Sequence, residues 1–250
     1  MNWHLKAMAS FDIESDGKLP TEAHIITADL IICGVGIEPV RKSWVVKPDR
    51  PIPDEAAKIH GYSTERAEAE GTDRRATIAQ IQYEVVAALK AHPLVIFNAP
   101  YDLTLLDREC DRLGLPRHPH EAWRPVIDPL TIDKHCHERR RGSRKLVDVY
   151  AHYYPGHTLK NAHTSDADAL AAARVAYKLG VKYPEIAAMT VDELHDAQVG
   201  WKAEQSKGLE EHFARQDAME KAEVVSKGGT WTPRRVAREW PVLPVGAVSS

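Results

Sequence analysis

The sequence predicts an α/β fold, and three observations support that class. Three strand-like segments follow one another near the amino terminus, at residues 9–15, 25–36 and 42–48, and they predict an antiparallel run. Residues 74–91 carry apolar side chains at helical spacing, which predicts an amphipathic helix. An apolar run at residues 94–97 is typical of a strand buried on both faces. The chain thus combines strands and helices, and it shows no internal repeat.

The first strand carries two acidic side chains on one face. In the segment ASFDIESDG, Phe11 and Ile13 point one way and Asp12 and Glu14 the other, because side chains alternate across a strand. An isolated Asp-x-Glu arises by chance about once in a chain of this length, so the pair needs support from elsewhere in the sequence.

A third acidic residue follows the buried strand. Asn98, Ala99 and Pro100 interrupt the apolar run, and a pattern with helical spacing begins at Leu103. Asp102 therefore lies near the carboxyl end of a strand, where α/β proteins usually bind ligands. The alternative is that Asp102 only caps the helix, which is a common use of Asp at a helix start.

A histidine and a fourth acid lie at the start of an alanine-rich helix. His163 is on the preceding loop and Asp168 is in the first turn, with Thr164, Ser165 or Asp166 available as the helix cap. A histidine whose pKa is near 6.5 can accept a proton around neutral pH, as a general base must. The alternative is an ordinary histidine on a surface loop.

Taken together, these motifs resemble those of the DnaQ-like 3′–5′ exonucleases of the DEDDh group. The resemblance rests on the order of Asp12, Glu14, Asp102, His163 and Asp168, and on the five-residue step from the histidine to the last aspartate. It implies a ribonuclease-H-like fold: a mixed five-stranded sheet flanked by helices, here followed by a C-terminal helical extension. It also implies that the four acids bind metal and that the histidine is the catalytic base.

Two further positions bear on the assignment of the third motif. His157 lies eleven residues before Asp168 and does not match the family step. The sister group has a tyrosine four residues before the last aspartate, where this chain has Thr164. The histidine variant is therefore favoured.

The chemistry of phosphodiester hydrolysis explains these residue types. An anion is attacked by an anion, so negative charge must be neutralised while hydroxide forms near neutral pH. Two divalent cations about 3.5–4 Å apart serve both purposes. Mg²⁺ prefers oxygen ligands and keeps several of its waters, so a few carboxylates and the substrate phosphate are sufficient. The expected cofactors are two Mg²⁺ or Mn²⁺ ions.

The resemblance covers roughly residues 5 to 180 and implies substrate contacts. The segment HGYSTERAEAEG is similar to a His-Gly-Ile segment of the family, which makes His60 and Gly61 candidates for positioning the terminal nucleotide. Asn98, in the second motif, is a further candidate. The segment VIDPLTIDKH, with Asp128, resembles the strand and helix that follow in the family.

A basic segment, KHCHERRRGSRK at residues 134–145, separates the second and third motifs. Its arginines are candidates for contacts to substrate phosphates; they are Arg139, Arg140, Arg141 and Arg144. A solvated connector is an equally good interpretation. The histidines and the cysteine of this segment provide too few spaced ligands for a zinc site.

Composition is compatible with a nuclease. The formal net charge of −3 includes the acidic motifs, so the placement of charge is more informative than its sum. The three cysteines, Cys33, Cys110 and Cys136, give neither a disulfide framework nor a zinc pattern. We expect a cytoplasmic protein without a membrane partner, because the sequence shows no signal peptide and no apolar run of about 20 residues.

The sequence predicts three regions: an exonuclease domain at 1–180, a helical extension at 181–226 and an extended or mobile tail at 227–250. Thr190 and Glu193 predict a capping box at the start of the extension. An apolar stripe is expected to pack on the core or to contact a partner or DNA; it comprises Leu194, Ala197, Trp201, Leu209 and Phe213. The tail offers aromatic and basic residues for base stacking or for a partner; they are Trp231, Trp240, Arg234, Arg235 and Arg238.

The resemblance implies a metal-dependent exonuclease that releases nucleoside 5′-monophosphates from the 3′ end of single-stranded DNA. RNA hydrolysis, of the RNase T or oligoribonuclease type, is an open alternative because the 2′-hydroxyl contacts cannot be identified from sequence. A non-catalytic nucleic-acid-binding module is a second alternative. Proofreading would need a separate polymerase or another replication or repair protein as partner.

Overall fold

The computed structural model describes residues 2–159, 162–218, 221, 225–227 and 236–245. A five-stranded sheet has the order β3-β2-β1-β4-β5. The strands are β1 Met8–Ser15, β2 Ile25–Gly34, β3 Ile37–Val45, β4 Leu94–Val95 and β5 Val126–Ile127. The first three pair antiparallel, and β1, β4 and β5 pair parallel. The predicted mixed five-stranded α/β sheet is confirmed.

Helices flank this sheet. They are α1 Asp54–His60, α2 Thr64–Glu70, α3 Arg74–Ala91, α4 Ala99–Arg112, α5 Pro129–Cys136, α6 Leu146–Tyr153, α7 Ser165–Lys182, α8 Pro184–Ala188 and α9 Val191–Gln216, with short 3₁₀ turns at Trp3–Leu5 and His120–Ala122. In the described parts of the chain, none of these helices combines the length and apolar character needed to cross a bilayer.

The alternation predicted for the first strand organises both faces of the sheet. Phe11 and Ile13 are buried in a core that includes Ile78 of α3 and Leu103 of α4. The opposite face is covered by α7, whose small Ala169 and other alanines pack against β1 and β2. Asp12 and Glu14 therefore face α7, which also carries Asp168.

Strand β4 is shorter than the sequence predicts. Of the run 94–97, only Leu94 and Val95 are strand, although the Ile96 N–H donates to the Ile127 carbonyl at 3.0 Å. The chain then turns at Asn98, whose φ of 67° is left-handed, and α4 begins at Ala99. This early turn brings Asp102 back over β1.

The helix α9 covers the free edge of β5 with polar contacts. Its capping box between Thr190 and Glu193 is confirmed. The predicted apolar stripe is only partly right, because Leu194 is buried but Leu209 is 42% exposed. The Val126 N–H donates to His195 Nδ1, and the Gln198 amide bonds to both the Val126 carbonyl and the Asp128 N–H. Helix α9 is thus held to the edge strand by hydrogen bonds as well as by apolar contacts.

The described end of the chain, residues 236–245, has no helix or strand and packs on the domain. Trp240, Val242 and Leu243 are buried, and the Leu243 N–H donates to Thr104 Oγ1 of α4 at 2.8 Å. Trp231, Arg234 and Arg235 lie outside the described residues. The division of the chain at residues 180 and 226 stays a prediction.

Candidate active site

Three carboxylates meet at the face of β1 that packs on α7. One oxygen from each of Asp12, Glu14 and Asp168 lies within 4.8 Å of the others. Asp12 and Glu14 share this face because of strand alternation, and Asp168 is added by the first turn of α7. The sequence-predicted residues therefore come together although more than 150 positions separate them.

Asp102 is the fourth acid and lies just beneath this cluster. Its side chain is 4% exposed, and its Oδ1 accepts a hydrogen bond from the Ile13 N–H at 3.0 Å. The capping alternative is wrong, because the N-cap of α4 is Asn98. Asp102 thus ties the second motif to the backbone between the two acids of the first.

The four acids lie close together and are largely shielded from solvent. Burial, and then the charges of Asp102, Glu14, Asp168 and Asp29, raise the pKa of Asp12 well above its usual range. Burial and the Asp168 charge raise the pKa of Glu14 to about 7. Burial also raises the pKa of Asp102 and of Asp168. The raised pKa values mean that full ionisation of these carboxyl groups is unfavourable without a nearby positive charge. The cluster therefore favours a bound cation.

The donor atoms fit a hard divalent cation. The ligands on offer are all carboxylate oxygens, which Mg²⁺ and Mn²⁺ prefer. Asp168 Oδ1 is buried and has no hydrogen-bond partner among the described residues. Because an unsatisfied buried carboxylate oxygen is costly, this atom is suited to metal ligation.

His163 is attached to the cluster through its backbone. Its N–H donates to Asp168 Oδ2 at 3.3 Å, while its side chain is exposed. Its φ of 69° is left-handed, a strained state for a residue other than glycine. His157 has no such link: its N–H bonds to the Tyr154 carbonyl after α6, and its ring contacts the Tyr154 ring.

A cleft of about 310 Å³ opens beside Glu14. His60 lines it together with Arg41, Tyr62 and Arg66. His60 is 5% exposed, its Nε2 has no partner among the described residues, and burial lowers its pKa. His60 is thus a buried, polar part of the wall of this cleft.

Gly61 and Asn98 are two further candidates for substrate contacts, and both shape the path of the backbone. Gly61 ends α1 in the left-handed conformation, with φ 80°, which explains a glycine there. Asn98 is exposed at the start of α4, and its N–H donates to Asp128 Oδ1. Asp128 also caps α5 and accepts from the Trp240 indole at 3.4 Å, so its role is structural.

The arginines of the basic segment divide into two pairs. Arg140 and Arg144 form ion pairs with the buried Asp133, whereas Arg139 and Arg141 are exposed. The segment lies near the far end of α7, because Lys182 contacts His137 Nε2 at 3.3 Å. At 1.5 Å per residue, that end is about 20 Å from Asp168. The structure does not bring these arginines to the carboxylates.

One group beside the site was not identified from the sequence. Asp29 of β2 is directly opposite Asp12 of β1 and is 6% exposed. Its carboxylate accepts hydrogen bonds from Ser43 and Ser165. The sequence did offer one sign of this residue, an acid within the apolar run IITADLIICG. Its hydrogen-bond partners, Ser43 and Ser165, are distant in sequence and could not be identified from it.

The fold and the carboxylate cluster are those of a metal-dependent exonuclease. Residues 11–176 match the RNase_T family model, whose description is Exonuclease, and the chain belongs to this family. The resemblance to the DnaQ-like exonucleases is thereby confirmed. A search of curated proteins finds no matching sequence.

Solved structures of exonuclease I share the fold. The E. coli enzyme in complex with a dA16 oligonucleotide is 18% identical with a TM-score of 0.62, over 79% of this chain and 44% of that one. Its zinc-bound complex with single-stranded DNA is 19% identical with a TM-score of 0.62, over 72% and 42%. Exonuclease I from Methylocaldum szegediense is 19% identical with a TM-score of 0.57, over 72% of this chain and 41% of that one. This chain thus spans less than half the length of these enzymes.

Proposed function

We propose that the protein removes nucleotides from the 3′ end of single-stranded DNA and releases nucleoside 5′-monophosphates. The observation that carries this proposal is the meeting of Asp12, Glu14 and Asp168, with the His163 backbone bonded to Asp168. A cluster of carboxylates with an adjacent histidine offers both cation ligands and a proton acceptor.

Each residue has a distinct role in the proposed reaction. The four acids would hold two Mg²⁺ or Mn²⁺ ions directly or through water; they are Asp12, Glu14, Asp102 and Asp168. Such cations supply charge neutralisation at the phosphate and activation of water. His163 would take the proton of the attacking water, for which its exposed position on a loop gives access. His60 and Asn98 would contact the terminal nucleotide.

One observation favours single-stranded DNA as the substrate. Structures that share the fold are complexes of exonuclease I with single-stranded DNA and with dA16. The exposed Arg139 and Arg141 would contact phosphates upstream of the 3′ end in either DNA or RNA. RNA remains the alternative substrate, and a polymerase or repair protein remains a possible partner.

The test uses 5′-labelled oligonucleotides of identical sequence in DNA and RNA, with Mg²⁺ or Mn²⁺. We expect a ladder that shortens from the 3′ end of DNA, mononucleotides with a 5′-phosphate as product, and inhibition by a 3′-terminal phosphate. Faster hydrolysis of RNA in direct competition would assign the RNA alternative. Internal cuts, or degradation of a 3′-blocked strand at full rate, would contradict 3′–5′ exonuclease activity.

A further inference from the structure

A buried hydrogen-bond chain connects the sheet to the start of α7 beside the carboxylates. Asp29 Oδ2 accepts a hydrogen bond from Ser165 Oγ at 2.5 Å, and Asp29 Oδ1 accepts one from Ser43 Oγ of β3. Thr27 Oγ1 lies 3.1 Å from Ser165 Oγ. Both oxygens of this acid are therefore engaged by hydroxyl groups from other elements.

Ser165 is well placed to transmit this contact. It is the first residue of α7, it is 3% exposed, and it lies between His163 and Asp168 in the chain. Thr164 is the N-cap residue of α7, and its Oγ1 donates to Asp166 Oδ1 at 2.7 Å. A second contact, from Ser10 Oγ of β1 to the Ala169 carbonyl at 2.6 Å, holds the next turn. The start of α7 is thus fixed to the sheet by side chains.

We propose that Asp29 is a positioning residue for the reaction, acting through Ser165 to hold the Asp168 carboxylate and the His163 loop against β1. This inference rests on the proposed function for its effect on turnover. Its effect on metal binding follows from the position of Asp168 alone.

The energetic cost of burying the Asp29 carboxyl group supports such a role. Asp29 is a buried acid opposite Asp12, and burial raises its pKa while the hydrogen bonds of Ser165 and Ser43 lower it. Arg41 is close, but its guanidinium pairs with Asp166 instead. A buried acid without a paired cation is expensive for stability. It does, however, give α7 a directional anchor that an apolar side chain could not provide.

The test compares Ser165→Ala with the matched control Ser43→Ala in the full chain. Each variant removes one hydroxyl from Asp29, but only Ser165 belongs to α7. Loss of a group that orients a metal ligand typically costs 10–100-fold in affinity or activity. We expect Ser165→Ala to weaken Mn²⁺ binding by about 10–100-fold in isothermal titration without substrate, and to lower kcat similarly with little change in KM. Ser43→Ala should keep Mn²⁺ affinity and kcat within about threefold of the wild type.

Two further variants separate positioning from general stability. Ser165→Thr retains the hydroxyl and should restore both Mn²⁺ affinity and kcat. Asp29→Asn keeps the side-chain shape, and combined with Ser165→Ala it should lower kcat no further than the stronger single variant, because both act through one contact. If Ser165→Ala does not fold, Asp29→Asn alone is compared with Ser43→Ala.

The outcomes distinguish this inference from the proposed function. Unchanged Mn²⁺ affinity in both Ser165→Ala and Asp29→Asn would overturn the inference, as would an equal loss in Ser43→Ala. If the wild type degraded no nucleic acid, the proposed function would fail, while the Mn²⁺ titrations would still decide the role of Asp29.

Discussion

Replacing Glu14 by Gln is expected to stabilise the metal-free protein at pH 8. Burial and the charge of Asp168 raise the pKa of Glu14 from its ordinary value of 4.5 to about 7. Between these values the folded protein binds more protons than the unfolded chain, so the free energy of unfolding falls as the pH rises. The difference between the two pKa values corresponds to about 3 kcal/mol, and Glu14→Gln removes this loss.

The assay is urea unfolding in EDTA, repeated between pH 5 and pH 8. The free energy of unfolding of Glu14→Gln should exceed that of the wild type by up to about 3 kcal/mol at pH 8, and the difference should shrink toward pH 5. Glu138→Gln makes the same chemical change at an exposed position and should follow the wild type. Added Mn²⁺ should stabilise the wild type more than Glu14→Gln, because a ligand of the folded state stabilises it by mass action.

A Glu14→Gln variant that is no more stable than the wild type at pH 8 would refute this reasoning. So would a difference that grows as the pH is lowered. Either result would mean that burial and the charge of Asp168 do not raise the pKa of Glu14 in the metal-free protein.

Three further predictions concern the base, the basic segment and the tail. His163→Ala should lower kcat by roughly 10²–10⁴-fold with Mn²⁺ affinity retained, whereas His157→Ala should leave kcat unchanged; the reverse pattern would overturn the assignment of the third motif. Arg139→Gln should reduce the slope of log affinity against log salt for single-stranded DNA by about 0.7, and an unchanged slope would exclude a phosphate contact. Arg144→Gln should leave that slope unchanged and instead lower the free energy of unfolding by about 1–3 kcal/mol, since its partner is a buried aspartate. Trp240→Ala should cost about 3–5 kcal/mol in urea unfolding, and a cost below about 1 kcal/mol would contradict burial of the indole.

The parts of the site that follow from local pattern could be predicted from the sequence. Strand alternation placed Asp12 and Glu14 on one face, and the helical spacing of residues 74–91 matched α3 from its first residue to its last. The meeting of Asp12 with Asp168 needed the family resemblance, because no local rule connects β1 to α7. The structure supplied that contact through the sheet order and the close packing of alanines.

The remaining features depend on partners that are far apart in the chain. Asp29 and Ser165 are separated by 136 positions, so neither identifies the other in the sequence. The arginine run looked uniform, yet Arg140 and Arg144 are held by Asp133. The stripe expected on α9 failed at Leu209, which is 42% exposed, and His195 and Gln198 of that helix bond to β5 beside the buried Leu194. Hydrogen bonds and ion pairs formed only in the folded state decided each of these cases.

The most direct test of the metal-dependent mechanism is hydrolysis of 5′-labelled single-stranded DNA by the wild type and by Asp12→Asn, each with Mn²⁺ and with EDTA. The wild type should shorten the strand from its 3′ end only when Mn²⁺ is present. Asp12→Asn should be inactive but folded, and at least as stable as the wild type in EDTA, because it removes a crowded negative charge. Full activity of Asp12→Asn, or undiminished activity of the wild type in EDTA, would contradict the carboxylate metal site as the catalytic centre.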